Sequence, residues 1–190
     1  VLPDSNAELT PSSPSRQGSR NSSGGPRRHK VWVHVYDIDS VTANLNWAVL
    51  RSSGIGVFHA GVEVLGDEWF FRFGPNNDSG VMWMEPRSHQ VHIYSESVCV
   101  GESELSEEDI REVIADLMER WPSNLYHPIT RNCVDFAEEF VKALRCPEPF
   151  PAYVRGVLDV AKSPVVLPVA DYAWDWVKWW NSPYDQGTAC

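Results

Sequence analysis

Alternating apolar and larger side chains predict β-strands in the first half of the chain. Three valines alternate with other residues in KVWVHVYDID, residues 30–39, and this pattern predicts a strand. GVFHAGVEVLGDEWFFRF, residues 56–73, alternates twice around the Gly66-Asp67 pair and predicts two strands joined by a short turn. We expect a loop in GPNNDSGVMW, residues 74–83, and a further strand in QVHIYS, residues 90–95.

Helical periodicity dominates the second half. In ELSEEDIREVIADLMERW, residues 104–121, apolar residues recur at helical spacing, and Ser106 with Asp109 resembles a capping box. Another helix is predicted to begin near Asn132. Its apolar stripe consists of Cys133, Phe136, Ala137, Phe140, Val141 and Leu144. AYVRGVLDVAKS, residues 152–163, predicts a further short helix after the proline-rich segment that ends the previous one.

The order of these elements indicates the fold class. A helix is also predicted at residues 40–54, between the first two strands, with Gly54 as its stop signal. The chain therefore runs from strand to helix, then to several strands, and then to several helices. Such an order is typical of an α+β fold in which helices pack on an antiparallel sheet.

Both ends of the chain differ in composition from the part between them. Residues 1–30 are rich in Ser, Pro, Gly and Arg and poor in large apolar side chains, so we expect a disordered tail. The core domain is predicted to span residues 31–162. The C-terminal extension, residues 163–190, contains the tryptophan-rich helical pattern VADYAWDWVKWWN. We expect this helix to pack on the domain, with a partner or membrane interface as the alternative.

Charge and cysteine content narrow the function classes. The formal net charge is −10, which argues against a nucleic-acid-binding protein because phosphate contacts need basic side chains. No apolar run is long enough to predict a membrane-spanning helix, and the aromatic C-terminal pattern lacks a basic face. The four cysteines show no C-x-x-C spacing, and no signal-like segment opens the sequence. These features favour a reducing compartment, the cytoplasm or nucleus.

Cys133 is the first candidate for chemistry because it directly follows Asn132, the predicted helix cap. The unpaired N–H groups and partial positive charge of a helix N-terminus favour a thiolate, and the same N–H groups can stabilise an oxyanion. Taken alone, a buried cysteine on an apolar stripe is the commoner situation. Asn132 has two candidate roles, capping the helix or orienting a catalytic histidine.

A nucleophilic cysteine needs a base, and His59 is the first candidate among six histidines. Alternation places His59 on the same strand face as Gly61 and Glu63, where the glycine leaves space beside it. His127, in the loop before Cys133, is the next candidate. Residue spacing alone leaves both open, together with the interpretation that neither histidine is catalytic.

No metal or cofactor is predicted. No two Cys or His residues fall at zinc-ligand spacing, and His89 and His92 have no partner ligands in the sequence around them. A Walker loop, a G-x-G-x-x-G motif and a G-x-S-x-G motif are also missing from the sequence. Phosphate binding and serine hydrolysis therefore have no support from sequence motifs.

Two separated motifs resemble those of a known family. The strand motif VFHAGVEV, residues 57–64, and the helix start RNCVDFAEEF, residues 131–140, are similar to those of the PPPDE cysteine peptidases, also called DeSI deSUMOylating isopeptidases. The resemblance covers residues 31–162 in colinear order and implies a permuted papain-like fold. It also implies a catalytic dyad of His59 and Cys133. The chain departs from the family pattern at Val134 and Asp135, where a different polar pair is usual.

The resemblance implies a function as a thiol isopeptidase. Cys133 would attack the isopeptide bond between a lysine and a ubiquitin-like modifier (SUMO or ubiquitin), with His59 as general base. Two alternatives stay open: a thioesterase that removes S-acyl groups with the same dyad, and a non-catalytic module that acts through its tryptophan-rich helix. The family also implies a homodimer, and the implied partner is a ubiquitin-like protein or a modified target.

Overall fold

The computed structural model describes residues 28–38, 58–164 and 166–180. The helix predicted at residues 40–54 lies outside the described residues, as do the first 27 residues and residues 181–190. The disordered tail predicted for residues 1–30 is wrong at residues 29 and 30, because β1 begins at His29.

Five antiparallel strands form one sheet, which confirms the predicted α+β class. The strands are β1 (His29–Asp37), β2 (Phe58–Val64), β3 (Asp67–Phe71), β4 (Val81–Met84) and β5 (Ile93–Ser103). Their order across the sheet is β4-β3-β2-β1-β5. The first strand of the sequence thus lies between β2 and β5, inside the sheet.

The two edge strands differ from their predictions. Residues 81–83 were expected to be loop, but they belong to β4 and pair with β3. The strand predicted at residues 90–95 begins only at Ile93 and continues to Ser103. β4 has only four residues, and so short an edge strand is specified by its pairing partner more than by its own alternation. The start of β5 is set by its pairing with β1, which begins where Ile93 lies opposite Asp37.

A tight turn joins β2 to β3, as the sequence predicted. Its two central residues, Leu65 and Gly66, have φ angles of 57° and 93°. Positive φ at both central positions suits a two-residue hairpin, because the turn then matches the twist of the flanking strands. This turn fixes the register that places Glu63 opposite Glu68.

Among the described residues, four α-helices follow the sheet: α1 (Glu107–Arg120), α2 (Cys133–Ala143), α3 (Ala152–Ala161) and α4 (Leu167–Trp180). A 3-10 turn, Ser123–Leu125, lies between α1 and α2. The capping box of Ser106 and Asp109 is confirmed at the start of α1. In the described part of the chain, each helix is too short or too polar to cross a membrane.

One face of the sheet carries the hydrophobic core. Alternate residues of β1 and β2 point to this face, and α2 packs its apolar stripe against them. All six stripe residues predicted from the sequence are buried. Phe136, at the centre of the stripe, is fully buried among aromatic rings that include Phe71 and Trp121. We call this side of the sheet the apolar face.

The opposite side, the polar face, buries hydrogen-bonded side chains. Glu68 is fully buried and accepts hydrogen bonds from the Tyr36 hydroxyl and the Arg87 N–H, all at 2.8 Å. Burial raises the pKa of Glu68, although both donors act in the opposite direction. His34 joins the network through Glu63, with Nε2 and Oε2 2.7 Å apart.

Gly61 makes room for this network. A Cβ atom at Gly61 would lie 2.2 Å from Oε1 of Glu68, far inside van der Waals contact. The sequence suggested that Gly61 leaves free space beside His59. The Glu68 carboxylate fills that space.

The tryptophan-rich helix α4 contacts the domain through Trp174. The indole Nε1 donates a hydrogen bond to the carbonyl of Tyr126 at 3.0 Å, and the ring packs edge-on against Phe73. Asp171 lies one turn earlier, with Oδ1 3.1 Å from Nε2 of His127. These contacts follow the expectation that the helix packs on the domain.

Candidate active site

A cavity of about 300 Å³ brings the two predicted site residues together. It opens at the start of β2 and the N-terminus of α2, where the two sheet faces meet. His59 and Cys133 both line it, although 74 positions separate them in the sequence. The other walls are mostly apolar: Ile38, Phe58, His92, Tyr126, Pro128, Asn132, Val134, Val154 and Leu158.

Asn132 fixes the start of the helix that carries the thiol. Its side-chain oxygen accepts the N–H groups of Val134 at 2.9 Å and Asp135 at 3.1 Å, and its amide donates to the carbonyl of Pro128 at 2.9 Å. Asp135 completes a capping box by accepting the N–H of Asn132. Both ends of the Asn132 side chain are engaged in these contacts, so it acts here as a cap and not as an orienting partner for His59.

The Cys133 thiol is buried, and two features of its surroundings shift its pKa in opposite directions. Burial raises its pKa to about 11. The N–H of Ala60, the hydroxyl of Tyr126 and the N–H groups of Val134 and Cys133 lie near the sulfur and lower its pKa, but less than burial raises it. The sequence led us to expect that the helix terminus would favour a thiolate. The structure shows that burial outweighs it.

His59 lies among other aromatic rings and is nearly fully buried. Its ring centroid is 5.9 Å from that of Tyr36 and 5.6 Å from that of Phe70. Within the described part of the chain, its Nε2 is buried without a hydrogen-bond partner. Burial lowers the pKa of His59 well below the ordinary value, and the neighbouring His92 and His89 lower it further.

Burial therefore favours the uncharged form of both groups. The directions of both pKa shifts oppose a preformed thiolate–imidazolium pair. A neutral imidazole can still act as a general base during attack, because its free nitrogen accepts the thiol proton as the new bond forms.

Comparison with known proteins places this arrangement in a family. The family model described as "PPPDE putative peptidase domain" matches residues 29–170. The chain belongs to the PPPDE peptidase family. This membership confirms the resemblance found in the two sequence motifs, and the matched range reaches into α4.

Two curated relatives share this domain. A DeSI-like protein of Arabidopsis thaliana is 32% identical over 152 residues, covering 80% of this chain and 65% of that protein. A desumoylating isopeptidase 1 homolog of Caenorhabditis elegans is 33% identical over 125 residues, covering 62% of this chain and 35% of that protein. The chain thus spans less than two thirds of the length of either relative.

The second candidate base, His127, does not line the cavity. Its Nδ1 accepts the N–H groups of Ile129 and Thr130, both at 3.2 Å, and its Nε2 faces Asp171. Of the two candidate bases in this PPPDE domain, the fold therefore brings only His59 to the cavity of Cys133.

Asp135, where this chain departs from the PPPDE motif, does not line the cavity. Its carboxylate pairs with Lys162 at 3.1 Å and with Arg155 at 3.4 Å, in addition to its capping role. The unusual charge therefore ties α2 to α3.

Sequence reasoning missed two features of the site. The Tyr126 hydroxyl lies near the thiol, and burial together with Cys133 raises the Tyr126 pKa well above the ordinary value. The residues around His89 and His92 in the sequence offer no partner ligand, but the fold brings a ring nitrogen of His59 within 4.8 Å of theirs. No local motif marks either feature, since each depends on where a loop passes the end of β2.

Proposed function

We propose that this PPPDE domain is a thiol peptidase that cleaves an isopeptide bond between a ubiquitin-like modifier and a lysine. One observation carries the proposal: Cys133 and His59 line the same cavity, with hydrogen-bond donors directed at the sulfur. Family membership and the names of the two relatives support the same class of reaction. SUMO and ubiquitin are both candidate modifiers.

The chemistry begins from the neutral pair. Sγ of Cys133 attacks the isopeptide carbonyl while a ring nitrogen of His59 accepts the thiol proton. The S–C bond forms, the carbonyl oxygen takes the negative charge, and collapse expels the lysine amine, which receives the proton from His59. Water then attacks the thioester with His59 as base, and this step releases the modifier carboxylate and regenerates the thiol.

Hydrogen-bond donors near the sulfur are placed to stabilise the developing charge. The N–H groups of Val134 and Asp135 are already accepted by the Asn132 side chain. This leaves the N–H groups of Cys133 and Ala60 and the hydroxyl of Tyr126 as donors close to the reacting group. Tyr126 therefore has a second proposed role as a donor to the tetrahedral intermediate.

The first experiment measures iodoacetamide labelling of each cysteine by mass spectrometry over a range of pH. The wild type is compared with His59→Ala and with His29→Ala, a histidine at the far end of β1. We expect Cys133 labelling at neutral pH to fall about tenfold or more without His59, as general-base assistance is lost. Equal labelling in wild type and His59→Ala would overturn the dyad.

The second experiment tests the substrate. Ubiquitin and SUMO carrying a C-terminal electrophile should each be tested for covalent capture by the wild type and by Cys133→Ala. Capture of either modifier that is lost in Cys133→Ala supports the isopeptidase. If Cys133 labels rapidly with iodoacetamide but captures neither modifier, the thiol is active and the proposed substrate is wrong.

A thioesterase is the second candidate, favoured by the apolar cavity walls. Ile38, Phe58, Val154 and Leu158 form a surface beside Cys133 that suits a hydrocarbon chain better than a polar peptide. Hydrolysis of an S-acyl peptide by the wild type, lost in Cys133→Ala and slowed by Leu158→Asp, would support this alternative. Hydrolysis unaffected by Leu158→Asp would count against it.

Location and assembly are part of the proposal. A catalytic thiol must stay reduced, and the three described cysteines are free, so we propose the cytoplasm or nucleus as the place of action. We also propose self-association into a homodimer, as the family resemblance implied. Fluorescence imaging of a tagged full chain and light scattering of the purified protein test these two points.

A further inference from the structure

We propose that His59, His89 and His92 form a binding site for a divalent transition-metal ion of the Zn²⁺ class. One ligand nitrogen from each ring lies within 4.8 Å of the nitrogens from the other two. His59 comes from β2, whereas His89 and His92 lie three positions apart in the loop between β4 and β5.

The protonation pattern at His92 suits a metal ligand. Its Nδ1 donates a hydrogen bond to the carbonyl of Ile38 at 3.1 Å, so in the neutral ring the lone pair is on Nε2. Metal-binding histidines commonly donate their second ring nitrogen to a backbone carbonyl, which holds the ring in orientation and makes it more basic. His92 therefore already has the outer hydrogen bond that such a ligand needs.

His59 supplies the second independent observation. Its side chain is 6% exposed, and its Nε2 is buried with no hydrogen-bond partner among the described atoms. A buried polar atom without a partner is uncommon in folded proteins and points to an unseen ligand. A metal ion held between the three rings would satisfy this nitrogen.

His89 completes the set after a small adjustment. Its Nδ1 accepts the N–H groups of Val91 at 3.2 Å and His92 at 3.1 Å. Both bonds are at the long end of the usual range. A metal ion bound through Nδ1 would replace them, and one bound through Nε2 would require the ring to flip. The ring stacks on His92 with centroids 4.5 Å apart. Both residues lie outside the strands, where the backbone can close around an ion.

Coordination needs a contraction of the site and a rotation of the rings, because imidazole lone pairs lie in the ring planes and His89 stacks on His92 at 25°. Tetrahedral Zn²⁺ at about 2.0–2.1 Å from each nitrogen requires nitrogens about 3.4 Å apart. The observed limit of 4.8 Å therefore has to shorten by about 1.4 Å at most. Imidazole ligands select Zn²⁺, Cu²⁺, Ni²⁺ or Co²⁺ over Mg²⁺ and Ca²⁺, which prefer oxygen.

Metal binding has a consequence that rests on the proposed function. If His59 is the base for Cys133, its lone pair cannot serve the metal and the thiol at once. A bound ion therefore withdraws the base and inhibits the peptidase. The site would make the activity sensitive to free zinc while leaving the thiol itself chemically intact.

The test of the site is direct binding, without any activity assay. Chelator-treated wild type is titrated with ZnCl₂ in a calorimeter and with CoCl₂ in a spectrophotometer. We expect one ion per chain and the visible bands of tetrahedral cobalt. His59→Ala, His89→Ala and His92→Ala should each weaken binding by more than the roughly 10–100-fold that outer-shell changes cost. His29→Ala, the matched control outside the cluster, should bind like the wild type.

In the wild type, an octahedral cobalt spectrum or the lack of saturable binding would overturn the site, and neither result depends on whether a variant folds. Among the variants, unchanged affinity in both His89→Ala and His92→Ala would overturn it. Loss of binding in Cys133→Ala alone would also overturn it, because the ion would then be bound by the thiol.

The inhibitory consequence has its own measurement. Zn²⁺ should slow iodoacetamide labelling of Cys133 in the wild type, with half-inhibition at the concentration that half-saturates binding. For His92→Ala, the labelling rate is compared with the rate of the same variant without metal. The Zn²⁺ concentration of half-inhibition should rise by the same factor as the dissociation constant. Saturable binding through the three histidines without any change in labelling would overturn the inhibition and the role of His59 as base, while leaving the metal site in place.

Discussion

The two faces of the sheet are built by different physics. The apolar face is stabilised by close packing of side chains such as Phe136. This stabilisation comes from the hydrophobic effect, which depends on the apolar area removed from water and not on the direction of contacts. The polar face is held by directed hydrogen bonds around the fully buried Glu68. Cys133 belongs to the first face and His59 to the second, and the cavity lies where the faces meet. The chemistry of the cavity therefore depends on the relative position of Cys133 and His59, which are held by two different kinds of interaction.

Truncating the apolar face should have the largest effect on stability. Phe136→Ala removes a fully buried ring that packs against Phe71, Trp121 and Phe140, with centroids 5.4–6.2 Å away. We expect a loss of about 3–5 kcal/mol in the free energy of unfolding, measured by urea denaturation. Phe136→Leu, which keeps most of the volume, should lose clearly less. Equal losses would mean that packing at this position does not dominate.

Overfilling the polar face should have the next largest effect. Gly61→Ala places a methyl group against the Glu68 carboxylate, and we expect a loss of about 3 kcal/mol. Gly66→Ala, in the β2–β3 turn, meets nothing within 4 Å but keeps a φ of +93°, so it should cost about 1–2 kcal/mol.

A double variant separates the clash from other effects of the Gly61 change. In the background of Glu68→Ala, the carboxylate is gone, and the penalty of Gly61→Ala should largely disappear. If the two penalties simply add, the polar face is not packed around this glycine.

The Cys133 thiol, on the apolar face, should make the free energy of unfolding depend on pH in the alkaline range. The Cys133 pKa is about 11 in the folded protein against an ordinary value of 9.0. Below pH 9 both the folded and unfolded chains carry the thiol, and its contribution is fully present. Above pH 9 the unfolded chain loses its proton first, so stability falls until about pH 11, by about 2–3 kcal/mol in total.

Denaturation curves between pH 8 and pH 11 measure this slope. Cys133→Ala should lose less stability than the wild type over this interval, by about 2–3 kcal/mol. Cys99→Ala, at an exposed cysteine, is the control and should follow the wild-type curve. Identical slopes in wild type and Cys133→Ala would contradict a burial-raised thiol pKa.

The smallest expected effect is at the junction of the two faces. Asn132→Ala removes the acceptor for the N–H groups of Val134 and Asp135, and we expect a loss of about 1 kcal/mol. Asn132→Asp keeps an acceptor and should stay close to the wild type. Thermal or urea unfolding measures both variants, and a loss as large in Asn132→Asp as in Asn132→Ala would show that capping is not the role of this side chain.

The sequence by itself determined the elements whose periodicity is local. The stripe of α2, the capping box of α1 and the β2–β3 turn each depend on residues a few positions apart, so their patterns are readable without the fold. The family motifs around His59 and Cys133 were readable for the same reason. Strand β4 was missed because a four-residue edge strand carries too little pattern of its own.

Tertiary structure alone decided the surroundings of the site. Tyr126 meets Cys133, and His89 and His92 meet His59, only because loops far apart in the sequence pass the same end of β2. Burial is likewise a property of the whole fold, and it sets the Cys133 and His59 pKa values against the charged forms that a helix terminus would favour. Desolvation depends on every surrounding atom, whereas a sequence motif records only neighbours along the chain.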